Sequence, residues 1–299
     1  MIRSVSVITR TIAPPGLPGR LTNHSWLGAE MRVSAMDMEG FVWDSAFLPR
    51  PPSDGRAYVV LPVEGPVRVL AAGVVVGPGA GVVFPSVDAS FDERVVIFPR
   101  HRAVALRVER HLVRLPPRLA SFPVRVDVVE RVYDAVSSAN AFAEPIAALV
   151  SALSAAHVLH RSAARLGEAE EPADEPVARA LTLALTAHDP CPPSTLVEGS
   201  LALSERHARR RVDSFLVRHR MPFARWRDLR KSFSLTGAAL ALSLPGISTE
   251  AASRAGGFAS PTGLCHAFQR AALPSPQEIA RAHASLREEY GDGAHARTG

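Results

Sequence analysis

The sequence predicts an α+β fold, with a β-rich N-terminal domain followed by an all-α C-terminal domain. Residues 20–115 contain short valine-rich runs separated by proline, glycine and aspartate, a pattern typical of a small barrel or sandwich. Residues 124–166 change to helical spacing and predict two helices. From Pro176 onward almost the whole chain predicts helix, and 299 residues are enough for two domains.

The β-rich region and its boundary can be placed more closely. Six apolar runs predict strands, at residues 57–61, 67–71, 74–76, 82–84, 95–98 and 103–108. An acidic, proline-bearing stretch at 167–176 predicts a linker. The expected organisation is therefore a first domain over 1–166, a helical domain over 177–285 and a disordered tail over 286–299.

Composition argues against several kinds of protein. The sequence has no apolar run long enough for a membrane span, and its N-terminus lacks the pattern of a secretory signal. Two cysteines, Cys191 and Cys265, indicate a reducing cytoplasm rather than a disulfide scaffold. Because His24, His101 and His111 are scattered along the chain, we expect no metal site and no cofactor.

Basic residues concentrate in one part of the helical domain. Residues 201–231 hold ten basic and three acidic side chains, a net charge of +7 in a chain whose total is +5. Lys231 is the single lysine among the 34 basic residues, and arginine suits both phosphates and guanine edges. Charge alone leaves two interpretations open, a polyanion-binding surface and an ordinary solvated face.

One helix in this basic stretch separates its charged and apolar residues. Ser204 is a suitable N-cap for a helix over residues 205–215. At helical spacing, one face carries Ala208, Val212 and Phe215. The opposite face carries Arg206, Arg209, Arg210 and Asp213. A short predicted helix and a turn precede it, as in a helix-turn-helix unit that offers its second helix to a major groove.

The same layout recurs 56 residues further along the chain. Ser260 is the N-cap of a helix over residues 261–272, with Pro261 at a favoured first position. Its apolar face carries Leu264, Phe268 and Ala271. Its outward face carries Thr262, Cys265, His266 and Gln269. A predicted helix ended by glycines precedes it. Two matched copies, the first strongly basic, favour a DNA-binding domain over two ordinary surface helices.

Four short segments carry a family pattern: LSERH at 203–207, WRDLR at 226–230, GFASP at 257–261 and AFQR at 267–270. With these segments, the region of about residues 176–283 resembles the DNA-binding domain of AraC/XylS-type transcription regulators. The resemblance implies two helix-turn-helix units, each entering a major groove. A long helix, here about residues 223–242, would join them.

The resemblance also implies which residues reach DNA. In the first unit the base-reaching residues would be Arg206, Arg209 and Arg210. In the second unit they would be Thr262, Gly263 and His266. Four further residues are expected to contact phosphate: His207, Arg211, Gln269 and Arg270.

The sequence departs from the family pattern at three positions that bear on DNA recognition. Ala202 stands where a glycine is usual in the first turn. His266 replaces the usual arginine in the second unit, and Gly263 weakens its helix. We therefore expect the first unit to dominate the choice of DNA sequence and the second mainly to position the protein.

In regulators of this family the N-terminal domain commonly senses a small molecule or mediates dimerisation, often on a cupin-like barrel. The expected partners are double-stranded DNA, a small-molecule effector and a second copy of the chain, with RNA polymerase as a candidate partner of an activator. The helices within 124–166 are the better candidate for the dimer contact. The aromatic residues of the strands are expected in the core rather than in a pocket: Trp26, Phe41, Trp43 and Tyr58.

Three classes of function stay open. The first is a ligand-responsive regulator, and the second is a DNA-binding regulator controlled by abundance or a protein partner. The third is a cupin-type oxygenase or isomerase fused to a DNA-binding domain. The enzyme is disfavoured because the chain lacks the clustered histidine and glutamate ligands that such chemistry needs. The sequence does not separate the first two classes.

Overall fold

The computed structural model describes most of the chain between residues 7 and 290. The described residues are 7–14, 16–28, 30–49, 55–84, 94–114, 121–138, 143–160, 162–163, 175–187 and 190–290. Most of the expected linker, up to residue 174, lies outside them, and so do residues 291–299 of the expected tail.

The N-terminal strands form two antiparallel sheets. The strands are Val7–Ile12 (β1), Arg20–Leu27 (β2), Met31–Glu39 (β3), Trp43–Asp44 (β4), Arg56–Glu64 (β5), Val67–Val69 (β6), Val74–Val76 (β7), Ala80–Phe84 (β8), Val95–Ile97 (β9), His101–Glu109 (β10) and Ser121–Pro123 (β11). The larger sheet has the order β1-β2-β3-β10-β5-β8-β11 and the smaller has the order β4-β9-β6-β7. The six predicted strand runs coincide in order with β5 to β10.

The remaining elements are helices. Their bounds are Val126–Ser138 (α1), Ala143–Ala155 (α2), Glu175–Thr186 (α3), Ser194–Leu201 (α4), Glu205–Arg218 (α5), Trp226–Ala241 (α6), Thr249–Ala255 (α7), Pro261–Arg270 (α8) and Pro276–Tyr290 (α9). The helices α1 and α2 follow the strands, and α3 to α9 make up the C-terminal domain. The predicted fold class, a β-rich domain followed by an all-α domain, is confirmed.

The two faces of the larger sheet have different neighbours. On β10, Leu106 and Val108 pack with Val132 of α1 and Leu149 of α2. Successive side chains of a strand point to opposite faces. Ala103 therefore points to the inward face, where apolar residues of both sheets share one core. The two sheets thus form a sandwich with α1 and α2 on the outside.

Helix α6 lies at the centre of the C-terminal domain, and residues 233–241 of it are all buried. A Cβ built on Gly237 would lie 3.2 Å from the backbone oxygen of Ala255 in α7 and 3.7 Å from Cγ2 of Ile12 in β1. A helix that is buried on all sides needs small or apolar residues all round. The small residues of α6 let α7 and β1 approach it closely.

The two domains are in direct contact, which the sequence did not predict. The backbone N–H of Thr9 in β1 donates to Oγ1 of Thr182 in α3 at 3.2 Å. The backbone N–H of Val42 donates to the buried Oγ of Ser243, just after α6, at 2.9 Å. Because apolar residues of both domains also belong to one buried cluster, the sandwich and the helical domain share a core.

The disordered tail was predicted to begin at residue 286, which is too early. Helix α9 continues to Tyr290, so residues 286–290 are helical rather than disordered. Leu286 is buried against Val42 and Val96 of the N-terminal domain. The ring of Tyr290 lies 5.9 Å from the ring of Phe98, measured between centroids. Contact with the sandwich keeps this last turn of the helix in place.

Two histidines are buried in this fold. His101 in β10 is 1% exposed and His283 in α9 is 2% exposed. Burial lowers the pKa of each imidazole to about 4, from an ordinary value of 6.5. Around His283 the carboxylate of Asp44 opposes the shift, whereas the charges of Arg287 and Arg94 add to it. Both histidines are therefore neutral in the folded protein at neutral pH.

We expect the free energy of unfolding to fall as the pH is lowered from about 6.5 to about 4. In that window the unfolded chain binds protons that buried His101 and His283 do not, so protonation favours unfolding. Each histidine would account for about 3 kcal/mol of the loss. Urea unfolding across this pH range measures it. His283→Gln should show a smaller loss than the wild type, and an equal loss would contradict the assignment.

Candidate nucleic-acid interface

The first helix-turn-helix unit consists of α4, a turn at Ala202 and α5. Ala202 follows α4 in the left-handed conformation, with φ 51° and ψ 40°. Its N–H bonds back to the carbonyl of Gly199 at 3.2 Å. This is the position at which the family usually has glycine. A Cβ is unfavourable in this conformation, so the turn forms here at a cost in stability.

Ser204 is the N-cap residue of α5, as the sequence predicted, but its side chain does not cap the helix. Its hydroxyl makes no hydrogen bond to the backbone of the first turn. Instead, Oγ of Ser204 lies 3.0 Å from Nδ1 of His207. The expectation of a side-chain cap was wrong because the hydroxyl bonds to the imidazole ring. His207 is thereby held at the start of α5.

Helix α5 has its apolar side chains on one face and three arginines on the opposite face, as the sequence predicted. Its buried residues are Ala208, Val212, Phe215 and Leu216. The arginines expected to reach bases are all exposed: Arg206, Arg209 and Arg210. The helix also continues three residues beyond the predicted end, to Arg218. The basic surface of α5 is therefore longer than the sequence suggested.

Arg209 is paired in the protein without DNA. Its guanidinium bonds to the carboxylate of Glu205, four residues earlier on the same helix. Both side chains are more than half exposed. An exposed pair of this spacing contributes about 0.5 kcal/mol or less. Glu205 therefore orients Arg209 without holding it strongly, and a base or phosphate can replace it.

Asp213 joins α5 to α6, although the sequence placed it among the outward residues. Its Oδ1 accepts a hydrogen bond from the backbone N–H of Trp226, the first residue of α6, at 2.7 Å. A carboxylate is favourable at a helix N-terminus because it accepts an N–H that the helix leaves unpaired. The indole N–H of Trp226 in turn donates to Oγ of Ser194 at the start of α4, at 3.2 Å. These bonds connect the three helices.

A surface cleft of about 480 Å³ runs along one side of α5. Its lining residues are Leu203, His207, Arg210, Arg211, Ser214, Phe215 and Arg218. The sequence identified His207, Arg210 and Arg211 but missed Ser214 and Arg218. The missed signal was the helical spacing of residues 207, 211, 214 and 218, which places them in one row. The cleft lies between this row and the exposed arginine face of α5.

The second helix-turn-helix unit has a glycine in the left-handed conformation after its first helix. Gly257 follows α7 with a positive φ of 72°. A Cβ built on it would lie 3.1 Å from Cβ of Cys191 and 3.2 Å from Cβ of Pro190. Glycine is therefore required both by the conformation and by the space. The predicted glycine ending of this helix is confirmed.

Helix α8 begins as predicted. Oγ of Ser260 accepts a hydrogen bond from the backbone N–H of Gly263 at 3.1 Å, and Pro261 occupies the first turn. The helix ends at Arg270, earlier than the predicted end, because Ala272 adopts a positive φ of 54°. Its outward residues are exposed: Thr262, Cys265, His266, Gln269 and Arg270.

The two outward faces differ in charge. The face of α5 carries three exposed arginines, whereas the base-reaching positions of α8 hold Thr262, half-buried Gly263 and His266. Arg270 is basic, but its Nε donates to the backbone oxygen of His266 at 3.2 Å, so it lies along its own helix. The first unit therefore presents much the stronger positive surface.

The described residues contain no group of three or more His, Cys, Asp and Glu side chains arranged to hold a metal ion. None of their helices combines the length and the apolar character needed to cross a membrane. The two cysteines, Cys191 and Cys265, do not form a disulfide with each other.

Comparison with known proteins gives distant likenesses. No protein-family model and no curated protein matches the chain. A structure of ToxT from Vibrio cholerae is 11% identical, covers 84% of this chain and 98% of its own, and has a TM-score of 0.33. The AraC-like transcriptional activator CuxR is 13% identical. The match covers 96% of this chain and 88% of CuxR, with a TM-score of 0.26.

We expect Ala202→Gly to stabilise the protein by about 1 kcal/mol, because glycine tolerates the left-handed conformation of the first turn. Chemical denaturation measures the change. Ala284→Gly, at an exposed position inside α9, is the matched control and should destabilise by about the same amount. A loss of stability in Ala202→Gly would contradict the strain assigned to this turn.

Proposed function

We propose that this protein is a transcription regulator of the AraC/XylS type that binds double-stranded DNA with both helix-turn-helix units. The observation that carries the proposal is the exposed arginine face of α5 on a helix fixed by its neighbours. Arg206, Arg209 and Arg210 project away from the residues that anchor α5. A helix of this kind fits a major groove, and the arrangement of α7 and α8 repeats the layout.

The residues of α5 divide into two roles. Arg209 and its neighbours Arg206 and Arg210 would contact base edges, since arginine donates two hydrogen bonds to O6 and N7 of guanine. His207 and Arg211 line the cleft beside that face, and from there they would contact phosphates of one DNA strand. Phosphate contacts of this kind position a protein without reading the sequence.

The second unit would contribute less to sequence choice. Thr262, Gly263 and His266 face the bases, with Gln269 and Arg270 toward the backbone. Glycine has no side chain to read a base, and histidine lacks the two-pronged donor of arginine. We propose that this unit mainly sets the position and orientation of the protein on the duplex.

The remaining parts of the proposal concern regulation. We propose that the N-terminal sandwich binds a small-molecule effector, that α1 and α2 form a homodimer contact, and that RNA polymerase is a candidate partner. The site of action is the cytoplasm. The alternative is a regulator without a ligand, controlled by abundance or a protein partner. A thermal-shift screen with metabolites separates the two, because a ligand of the native state raises its Tm.

Selection of bound sequences from random duplex DNA tests the proposed function. The purified full chain should enrich one motif at moderate salt. A variant with Arg206, Arg209 and Arg210 all changed to alanine should enrich none. Failure of the wild-type protein to enrich any motif would reject sequence-specific binding, since non-specific phosphate contacts alone do not select a sequence.

We expect Arg209→Ala to reduce discrimination between the selected site and a mutated site by about 1–3 kcal/mol, and His266→Ala to reduce it less. Competition binding with both DNAs measures this. Arg179→Ala is the matched control, because Arg179 is also an exposed arginine paired with a glutamate four residues earlier, but on α3. A larger loss from His266→Ala would overturn the dominance of the first unit.

A further inference from the structure

Four arginine side chains meet on the inward face of the larger sheet. Arg32 in β3 pairs in register with Arg107 in β10, which pairs on its other side with Tyr58 in β5. Arg56 lies two residues before Tyr58 and therefore on the same face. Arg10 in β1 is the fourth, and its charge acts on Arg32. These residues come from four strands, so folding brings them together.

Three of the four arginines are buried. Arg56 is 2% exposed, Arg107 is 5% exposed and Arg32 is 8% exposed. Charged side chains are seldom buried without partners, because leaving water is costly. Nε of Arg56 donates to Oε1 of Glu109 at 3.1 Å, and the guanidinium of Arg107 lies 5.1 Å from the centre of the Tyr58 ring.

The hydrogen-bonding capacity of Arg32 is only partly used by the described residues. Its buried Nε has no hydrogen-bond partner among the described residues. One of its terminal nitrogens donates a long bond of 3.4 Å to the backbone oxygen of Arg220, which follows α5. Arg32 therefore has one buried N–H group that no acceptor among the described residues binds, and a second nitrogen that makes only a long hydrogen bond.

Positive charge dominates around Arg32. Burial, together with the charges of Arg107, Arg56 and Arg10, lowers the pKa of its guanidinium to about 9. Arginine nevertheless stays protonated in proteins, so like charges remain close together. The carboxylate of Glu109 is shared between Arg56 and Arg220. A bound anion would offset this repulsion more completely than Glu109 does.

Several groups beside the arginines are polar. Ser34 lies two residues after Arg32 on the same face, and its Oγ is 2.8 Å from Oγ of Ser25. The Ser25 hydroxyl donates to Oδ1 of Asn23 at 2.8 Å. These groups extend the hydrogen-bonding surface along the inward face, as a polar ligand would require.

We propose that Arg32, Arg56 and Arg107, with Arg10, form a binding site for a small organic anion that carries two or more negative charges. Phosphate monoesters and polycarboxylates are the chemical class, because guanidinium groups bind both with paired hydrogen bonds. The assignment of this anion as the effector rests on the proposed regulatory function. The site adjoins the first DNA-binding unit through Arg220.

Thermal unfolding of the full chain tests the site. Citrate, pyrophosphate and acetate are each compared with sodium chloride at equal ionic strength. We expect citrate or pyrophosphate to raise Tm by about 5 °C at about 100 times its Kd. Acetate, with one charge, should add nothing beyond the salt. No shift with either multivalent anion, or an equal shift with acetate, would overturn the proposal.

Variants locate the binding. Arg32→Gln and, independently, Arg107→Gln should weaken binding of the active anion about tenfold or more in titration calorimetry. Arg32→Gln alone should not lower the Tm without anion, because it removes a like charge. A merely structural role would lower that Tm. Undiminished binding in both variants would reject the site.

Anions could also bind the exposed arginines of α5, so a control is needed. The double variant Arg209→Ala, Arg210→Ala should keep the full anion response, and its loss would place the binding on α5 and reject the proposal. Sequence selection with wild-type protein is independent of this site. If the sequence selection succeeds but no anion response is seen, only the anion site is rejected. If the sequence selection fails, the DNA-binding function is rejected.

Discussion

The structure depends on the burial of helix α6 on every side. Residues 233–241 have almost no contact with solvent, α6 contacts both α7 and α5, and Ile12 of β1 lies 3.7 Å from a Cβ built on Gly237. This is possible because the helix carries small residues where neighbours are closest, above all Gly237 beside Ala255 and Ile12. Both helix-turn-helix units and the first strand are consequently positioned by one element, and their arrangement follows from its packing.

Much of this organisation could be predicted from the sequence. The helical spacing of apolar residues placed the buried faces of α5 and α8, and Ser260 marked the start of α8 because its cap depends on local geometry. What could not be predicted is which hydrogen-bond partner a polar side chain has. Ser204 looks like the same cap but bonds to His207, and Asp213 looks like a surface residue until α6 is placed beside it.

The buried arginines show a second limit of sequence patterns. In β5 and β10 an arginine between apolar residues has the period expected of a solvent-facing position. The alternation is correct, yet the face to which Arg56 and Arg107 point is the interior of a sandwich. A period of two residues assigns side chains to faces but does not say which face meets water, so polar residues facing inward were missed.

The turn after α5 connects the sandwich to the helix-turn-helix units. Arg220 adopts a positive φ of 45°, its backbone oxygen accepts from Arg32, and its guanidinium bonds to Glu109. Both the backbone and the side chain of one residue are thus restrained by the N-terminal domain. A ligand that draws Arg32 or Glu109 away changes that restraint, and by thermodynamic linkage DNA binding would change the affinity for the ligand by the same factor.

The contact of α9 with the sandwich has a consequence for how the two domains of this chain can be recombined with domains of other proteins. Leu286 packs against Val42 and Val96, and Ser243 accepts from the backbone of Val42. A chimaera that joins these helices to a foreign sensor at the linker would leave apolar surface and a buried hydroxyl without their counterparts. A chimaera therefore also has to include the matching residues of the N-terminal domain. The residues on the two sides of this interface have to be inherited together.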